Sequence, residues 1–163
     1  MFEQADWLRA GKLCVYPTST QPAIGSLPKK DSLDLLFRVK KRPISKPVSL
    51  GVSSLEQASK FVFIPDNLQQ FLNYFPRGSL TVLLPPKNQP DVRLGQNGLA
   101  IRILENQLAR ELVDLVGPCQ QQVRMKVEKN LMFRASWRQR NWEDWLQVYT
   151  GLMGSVRAGH PVL

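Results

Sequence analysis

The sequence predicts an α/β layered domain. Three observations carry that expectation. Short apolar runs that read as strands alternate with amphipathic runs that read as helices over residues 2–118. Capping residues and Gly-Pro stops punctuate the helical runs. The whole chain has 163 residues, a length that suits one domain with a real core, and no internal repeat breaks it up.

The elements follow in order. Phe2 to Ala10 reads as a short helix ended by Gly11, and Leu13 to Tyr16 as a buried strand stopped by Pro17. Thr18 to Lys30 reads as a loop, with Pro22, Gly25 and Pro28 in it. Asp31 or Ser32 is expected to cap a helix whose apolar face is Leu33, Leu35, Leu36 and Val39. Val48 to Val52 is the second strand. Ser53-Ser54-Leu55-Glu56 fits a capping box, with a helix running through Phe61. Asp66 can cap another helix that reaches Tyr74 or Phe75. Leu80 to Leu84 and Leu99 to Ile103 read as strands. Asn106 to Val116 reads as an amphipathic helix ended by Gly117-Pro118.

Composition narrows the function classes. Lys and Arg number 22 against 13 Asp and Glu, a formal charge of +9, which favours anionic partners such as nucleotide or RNA. His160 is the only histidine, so a His-based triad or zinc site has almost no material. Cys14 and Cys119 do not form a disulfide framework, and a cytoplasmic setting is expected. The N-terminus lacks a basic n-region and an apolar h-region, so no signal peptide is expected. No apolar run reaches the ~18 residues of a membrane span.

The candidate chemistry is a series rather than one motif. Pro17-Thr18-Ser19-Thr20 sets two threonine hydroxyls at the end of the first strand. Lys40-Lys41-Arg42-Pro43-Ile44-Ser45-Lys46-Pro47 brackets cations between two prolines, which stiffen the segment and bias it toward extended geometry. A rigid cation cluster at the mouth of a strand suits a polyphosphate, although a solvated basic turn has the same composition. Arg77-Gly78-Ser79-Leu80-Thr81 leads into another strand. Arg102 stands on an otherwise apolar strand, where a guanidinium is costly unless it meets an anion. There is no Walker A loop, no H-E-x-x-H, no C-x-x-C and no G-x-S-x-G.

In order and spacing this series resembles the YrdC-like family, the L-threonylcarbamoyladenylate synthases of tRNA modification. The family reads P-T-x-T, then K-x-R-P with a further lysine, then G-P-L-T, then V-R. Residues 2–118 carry the resemblance. Ser19 stands where the family usually has an acid, Gln21-Pro22-Ala23 replaces an aromatic-glycine step, and Ser79 replaces a proline. The resemblance implies a three-layer fold around a twisted mixed sheet. It implies condensation of L-threonine, bicarbonate and ATP into threonylcarbamoyl-adenylate and pyrophosphate, with no protein nucleophile. Lys40, Arg42 and Lys46 would hold the triphosphate. Arg102 would take the threonine carboxylate, and Thr20 would contact threonine or adenylate. Thr18 and Thr81 would support. Mg2+ would accompany ATP, and tRNA or tRNA-modification proteins would be the partners. A non-catalytic RNA-binding relative of the same fold is the alternative.

After Pro118 the texture changes. Gln120-Gln121-Gln122 is followed by six cations from Arg124 to Arg140 and by Trp137, Trp142 and Trp145. A basic amphipathic helix, an ordinary terminal helix and an out-of-frame translation compete for this tail. The third has a specific argument. The family's next motifs, T-S-A-N-x-S-G and G-x-P-S-T, are missing. Degenerate codons for Cys119 to Asn130, read from each third base, allow P-A-T-S-A-N-E-S-G-K-E-P. The same offset over Ala158 to Leu163 allows G-G-T-P-S-T. The expected organisation is therefore a domain over residues 1–118 and a misframed tail over 119–163. A sheet incomplete at its C-terminal side and impaired activity are expected with it.

Overall fold

The elements of the computed structural model, which describes residues 2–18 and 22–123, run as follows. Helix α1 is Phe2–Arg9, strand β1 Cys14–Tyr16 and strand β2 Ala23–Gly25. Helix α2 is Lys30–Val39, β3 Ser49–Val52, α3 Leu55–Ser59 and α4 Leu68–Leu72. Strand β4 is Val82–Leu84, a 3-10 turn spans Val92–Leu94, β5 is Leu99–Ile103, α5 Gln107–Val116 and β6 Cys119–Val123. All of them fall in one compact unit, Met1–Arg124.

The six strands make one mixed sheet in the order β1-β2-β6-β3-β5-β4. Only β3 and β5 pair in parallel, with Gly51 opposite Arg102; the other neighbours are antiparallel. Three reversals separate β1 from β3, so the end of β1 and the start of β3 lie on the same edge of the sheet. That edge receives both the threonine-bearing loop and the cation segment.

Strand alternation splits the core in two. On one face Leu50, Val52, Leu84, Leu99 and Ile101 pack against Leu33 and Phe37 of α2 and Ala58 of α3. On the other, Cys14, Tyr16, Ala23 and Cys119 pack against α1 and α5 through Ala5, Leu8, Ala109, Leu112 and Val113. Removing one such buried leucine costs about 2–5 kcal/mol. Gly25 is needed here: a Cβ would stand 2.6 Å from the Tyr16 ring and 2.7 Å from the Gln120 carbonyl. The two thiols are free and buried, and burial pushes both Cys14 and Cys119 up to about 12.

Several expectations change in detail. The loop expected over Thr18 to Lys30 contains β2. Helix α2 begins after Lys29, which gives no side-chain cap; Ser32 is already inside the helix and buried. The helix after Asp66 starts at Leu68 behind Asn67. The capping box works through Ser54: its Oγ accepts from Gln57 N at 3.1 Å, while Gln57 Oε1 accepts from Ser53 N. The last helix ends at Gly117, φ 95°, as expected, and its start is capped by Asn106, whose Oδ1 accepts from Ala109 N. The sheet takes in Cys119–Val123 beyond Pro118. Ladder pairing uses backbone groups, so this placement asks little of side-chain identity. The tail from residue 124 on, with its tryptophans, lies outside the described residues, as does Thr20. No described helix is long and apolar enough to cross a membrane.

Candidate functional site

The cation segment is built by the end of α2. Arg42 N donates to Phe37 O and Lys41 N to Arg38 O, the paired bonds of a Schellman stop. Lys41 therefore takes the left-handed position, φ 47°, that glycine usually fills. The chain then turns back on itself. Lys46 N donates to Pro43 O, Arg42 Nε donates to Lys46 O at 2.6 Å, and an Arg42 Nη donates to Pro47 O at 2.8 Å. Hydrogen bonds from its own arginine add to the constraint expected of the two prolines.

Two cations of this segment are partly withdrawn from water. Lys40 is half-buried, and burial first, then the neighbouring Arg42 charge, holds its ammonium below the usual lysine range. Burial also lowers Arg42. Lys46 is exposed. An anion arriving here relieves both the desolvation and the like-charge repulsion. Thr18 sits half-buried just past β1, on the same edge of the sheet.

Arg102 and Thr81 form a second cluster. Continuing the Val82–Ile101 register by one residue puts Thr81 opposite Arg102, whose other neighbour is Gly51. The Nε of Arg102 is enclosed and meets no acceptor among the described residues. Tyr16 is buried in this region, and its hydroxyl is held well above its ordinary range. Burial is the main cause, with Cys119, Cys14 and Glu105 adding to it and Arg102 opposing. Gly78, at φ 78°, abuts Glu105 so closely that any side chain there would displace the carboxylate. Gly51 lies three residues past Val48, so the cation segment and the Arg102 row are roughly 10 Å apart along β3 at strand rise. The arrangement suits a molecule with a polyphosphate at one end and a carboxylate at the other.

A cleft of about 280 Å³ is a separate feature. Its floor includes Val82, Ile101 and Ile103, which alternate with Arg102 and so face the other side of the sheet. One important residue escapes sequence reasoning altogether. Arg93 is buried, with a bidentate grip on Asp91 and a further ion pair to Asp34 on α2. The hydrogen bond to Asp91 is the main reason its guanidinium is held above the usual range, and the same bond holds the Asp91 carboxyl low.

A family model for the Sua5/YciO/YrdC domain, described as telomere recombination, matches residues 6–123. A threonylcarbamoyl-AMP synthase of Marinobacter nauticus is 32% identical over 115 residues, covering 66% of this chain and 60% of that protein. The chain thus spans less than two thirds of that relative. Among solved structures, Pyrococcus abyssi Sua5 complexed with L-threonine superposes with a TM-score of 0.66 at 27% identity, over 72% of this chain and 36% of that one. YciO of E. coli superposes with a TM-score of 0.67 at 19% identity, over 89% of this chain and 70% of that one, a likeness of fold.

Proposed function

The chain belongs to the Sua5/YciO/YrdC family, and from that premise we propose that it is built to make L-threonylcarbamoyl-adenylate from L-threonine, bicarbonate and ATP. The observation that carries this reading is Arg102, a half-buried guanidinium whose enclosed Nε has no acceptor among the described residues. A buried donor left unmade costs about 1–3 kcal/mol, and a bound carboxylate would remove that cost.

The chemistry follows from charge and position. Bicarbonate supplies CO2 by taking up a proton and losing water, and the threonine amine captures that CO2 as a carbamate, releasing a proton. A carbamate oxygen attacks the α-phosphorus of ATP, and pyrophosphate leaves. No side chain need form a covalent bond. The protein orients the two reactants and stabilises charge that builds on the leaving phosphates. Lys40 and Lys46 are assigned to the triphosphate. Arg42 adds its charge while holding the loop carbonyls that set their spacing. Arg102 takes the threonine carboxylate, with Thr81 beside it and Thr18 at the sheet edge; Thr20 joins them on the family resemblance. Mg2+ is expected to enter with ATP, held chiefly by the substrate's phosphates. The product would serve tRNA modification in the cytoplasm.

The same reading includes an out-of-frame translation from about Cys119. Its support is Gln120, fully buried on β6, with its Oε1 accepting from Ser26 and its Nε2 without a partner among the described residues. The shifted frame allows alanine or threonine there, with no amide to satisfy. The DNA around codons 116 to 120 decides this: an alternate frame without S-A-N and P-S-T ends the idea. For the activity, pyrophosphate release that needs ATP, threonine and bicarbonate together is expected from the restored frame, and only weakly from this chain. Salt-sensitive RNA binding without turnover in the restored frame would overturn the enzymatic reading.

A further inference from the structure

We infer that Arg93 is a positioning residue for the cation segment, clamping both of its ends without touching the nucleotide. The inference rests on the reading of Lys40, Arg42 and Lys46 as the triphosphate site. Arg93 lies far from that segment in sequence but contacts the elements on either side of it.

On the N-terminal side the contact is α2, whose last turn delivers Lys40. An Nη of Arg93 donates to Asp34, the other donates to the Lys30 carbonyl at 3.3 Å, and the guanidinium carbon stands 5.9 Å from the centre of the Phe37 ring. On the C-terminal side the contact is the first residue after Pro47: Val48 N donates to the Arg93 carbonyl at 2.9 Å. Asp91 keeps the fork in place. It accepts from Nε at 2.8 Å and from Nη2 at 2.7 Å, and also from the backbone N of Arg93 at 2.9 Å. One side chain and its own carbonyl thus set where α2 ends relative to where β3 begins.

A triphosphate needs its cations at fixed spacing. The internal bonds of the segment shape the loop, and Arg93 ties together the two elements that flank it, so its loss should weaken phosphate binding through lost preorganisation while the cations themselves stay present. A lysine in its place keeps the charge but cannot hold Asp91 bidentately while also reaching Asp34 and Lys30.

The test is equilibrium binding of ATP to the full chain by titration calorimetry. The proteins are the parent, Lys40→Ala, Asp34→Ala, Arg93→Lys and the double variant Asp34→Ala/Lys40→Ala. Asp34→Ala should weaken ATP about three-fold, the scale of one exposed ion pair. Arg93→Lys should weaken it about ten-fold, and in both the Val48 amide should exchange faster. The double variant should bind little worse than Lys40→Ala alone, because both changes act on the same contact. A purely structural role would instead lower the fraction of competent chain and leave the Kd of that fraction unchanged. If Arg93→Lys fails to fold, Asp34→Ala decides, since Asp34 is 60% exposed. Parent-like Kd in the folded variants, with Lys40→Ala weakened, overturns the inference and leaves the reading of the site standing. No ATP binding by the parent and by its restored-frame counterpart, or none lost in Lys40→Ala, overturns both.

Discussion

Arg93 and Arg102 are two arginines drawn into the same domain and treated in opposite ways. Arg93 meets two carboxylates and a carbonyl, and its donors face built-in acceptors. Arg102 lies in a strand ladder with an enclosed Nε that meets no acceptor among the described residues. Burial alone does not separate architecture from function here. Partnering does: a satisfied guanidinium holds the fold, and an unsatisfied one is held ready for something that is not protein.

The largest expected effect tests that contrast in stability. Arg93→Ala should destabilise the chain by about 3 kcal/mol in urea, because it strands the Asp91 carboxylate. Arg102→Ala should cost nothing measurable or stabilise slightly, because it removes an orphan donor. Equal losses in the two variants would erase the distinction. Next comes ligand affinity. Arg102→Ala should weaken L-threonine about 10- to 100-fold by calorimetry, the scale of a charge-assisted hydrogen bond converted to a dissociation constant. Unchanged threonine binding would make the orphan Nε a packing defect rather than a site.

A smaller effect is expected at Gln120, a fully buried side chain whose Nε2, like the Arg102 Nε, has no partner among the described residues. It differs from Arg102 in lying off the proposed site. Gln120→Met alone would leave the buried Ser26 hydroxyl without its acceptor, so the variant to make is the double Ser26→Ala/Gln120→Met, which removes both groups and should raise stability by about 1 kcal/mol. A loss of stability would show that the Ser26–Gln120 hydrogen bond outweighs the unmet Nε2, and would remove the structural support for a shifted frame.

These cases show what the sequence could and could not reveal. The cation segment was legible because its bonds are local: Arg42 reaches carbonyls four and five residues on. The strands β3 and β5 and the helix α5 were legible because each carries its own apolar pattern and stop. Strand β2 was not, since three residues carry no period and its Gly25 reads as a turn residue until the Tyr16 ring lies over it. Strand β6 was not, because a Gln-Gln-Gln run becomes a strand only through partners on both sides. Arg93 was invisible for the same reason: Asp34, its partner on α2, is 59 residues away. Arg102 could be singled out as an arginine on an apolar strand, but its unmet donor is a fact of packing.

The smallest effect is a pH dependence that belongs to the Arg93 side of the comparison. Asp91 has its carboxyl lowered from the ordinary 3.8, chiefly by its hydrogen bond to Arg93. A depressed folded value means that Asp91 stabilises the fold fully above 3.8. That contribution fades as pH falls through the lowered value, where the folded carboxyl finally takes up its proton. Other acids titrate in the same range, so the quantity to measure is the stability difference between the parent and Asp91→Asn. It should be largest at neutral pH, begin to shrink near pH 4 and be smallest in stronger acid. No corresponding acid slope is expected between the parent and Arg102→Ala, because Arg102 forms no carboxylate ion pair among the described residues. A parent–Asp91→Asn difference that stays flat into strong acid would mean that the Asp91–Arg93 pair does not carry its charge in the fold. The satisfied arginine would then lose the feature that sets it apart from the unsatisfied one.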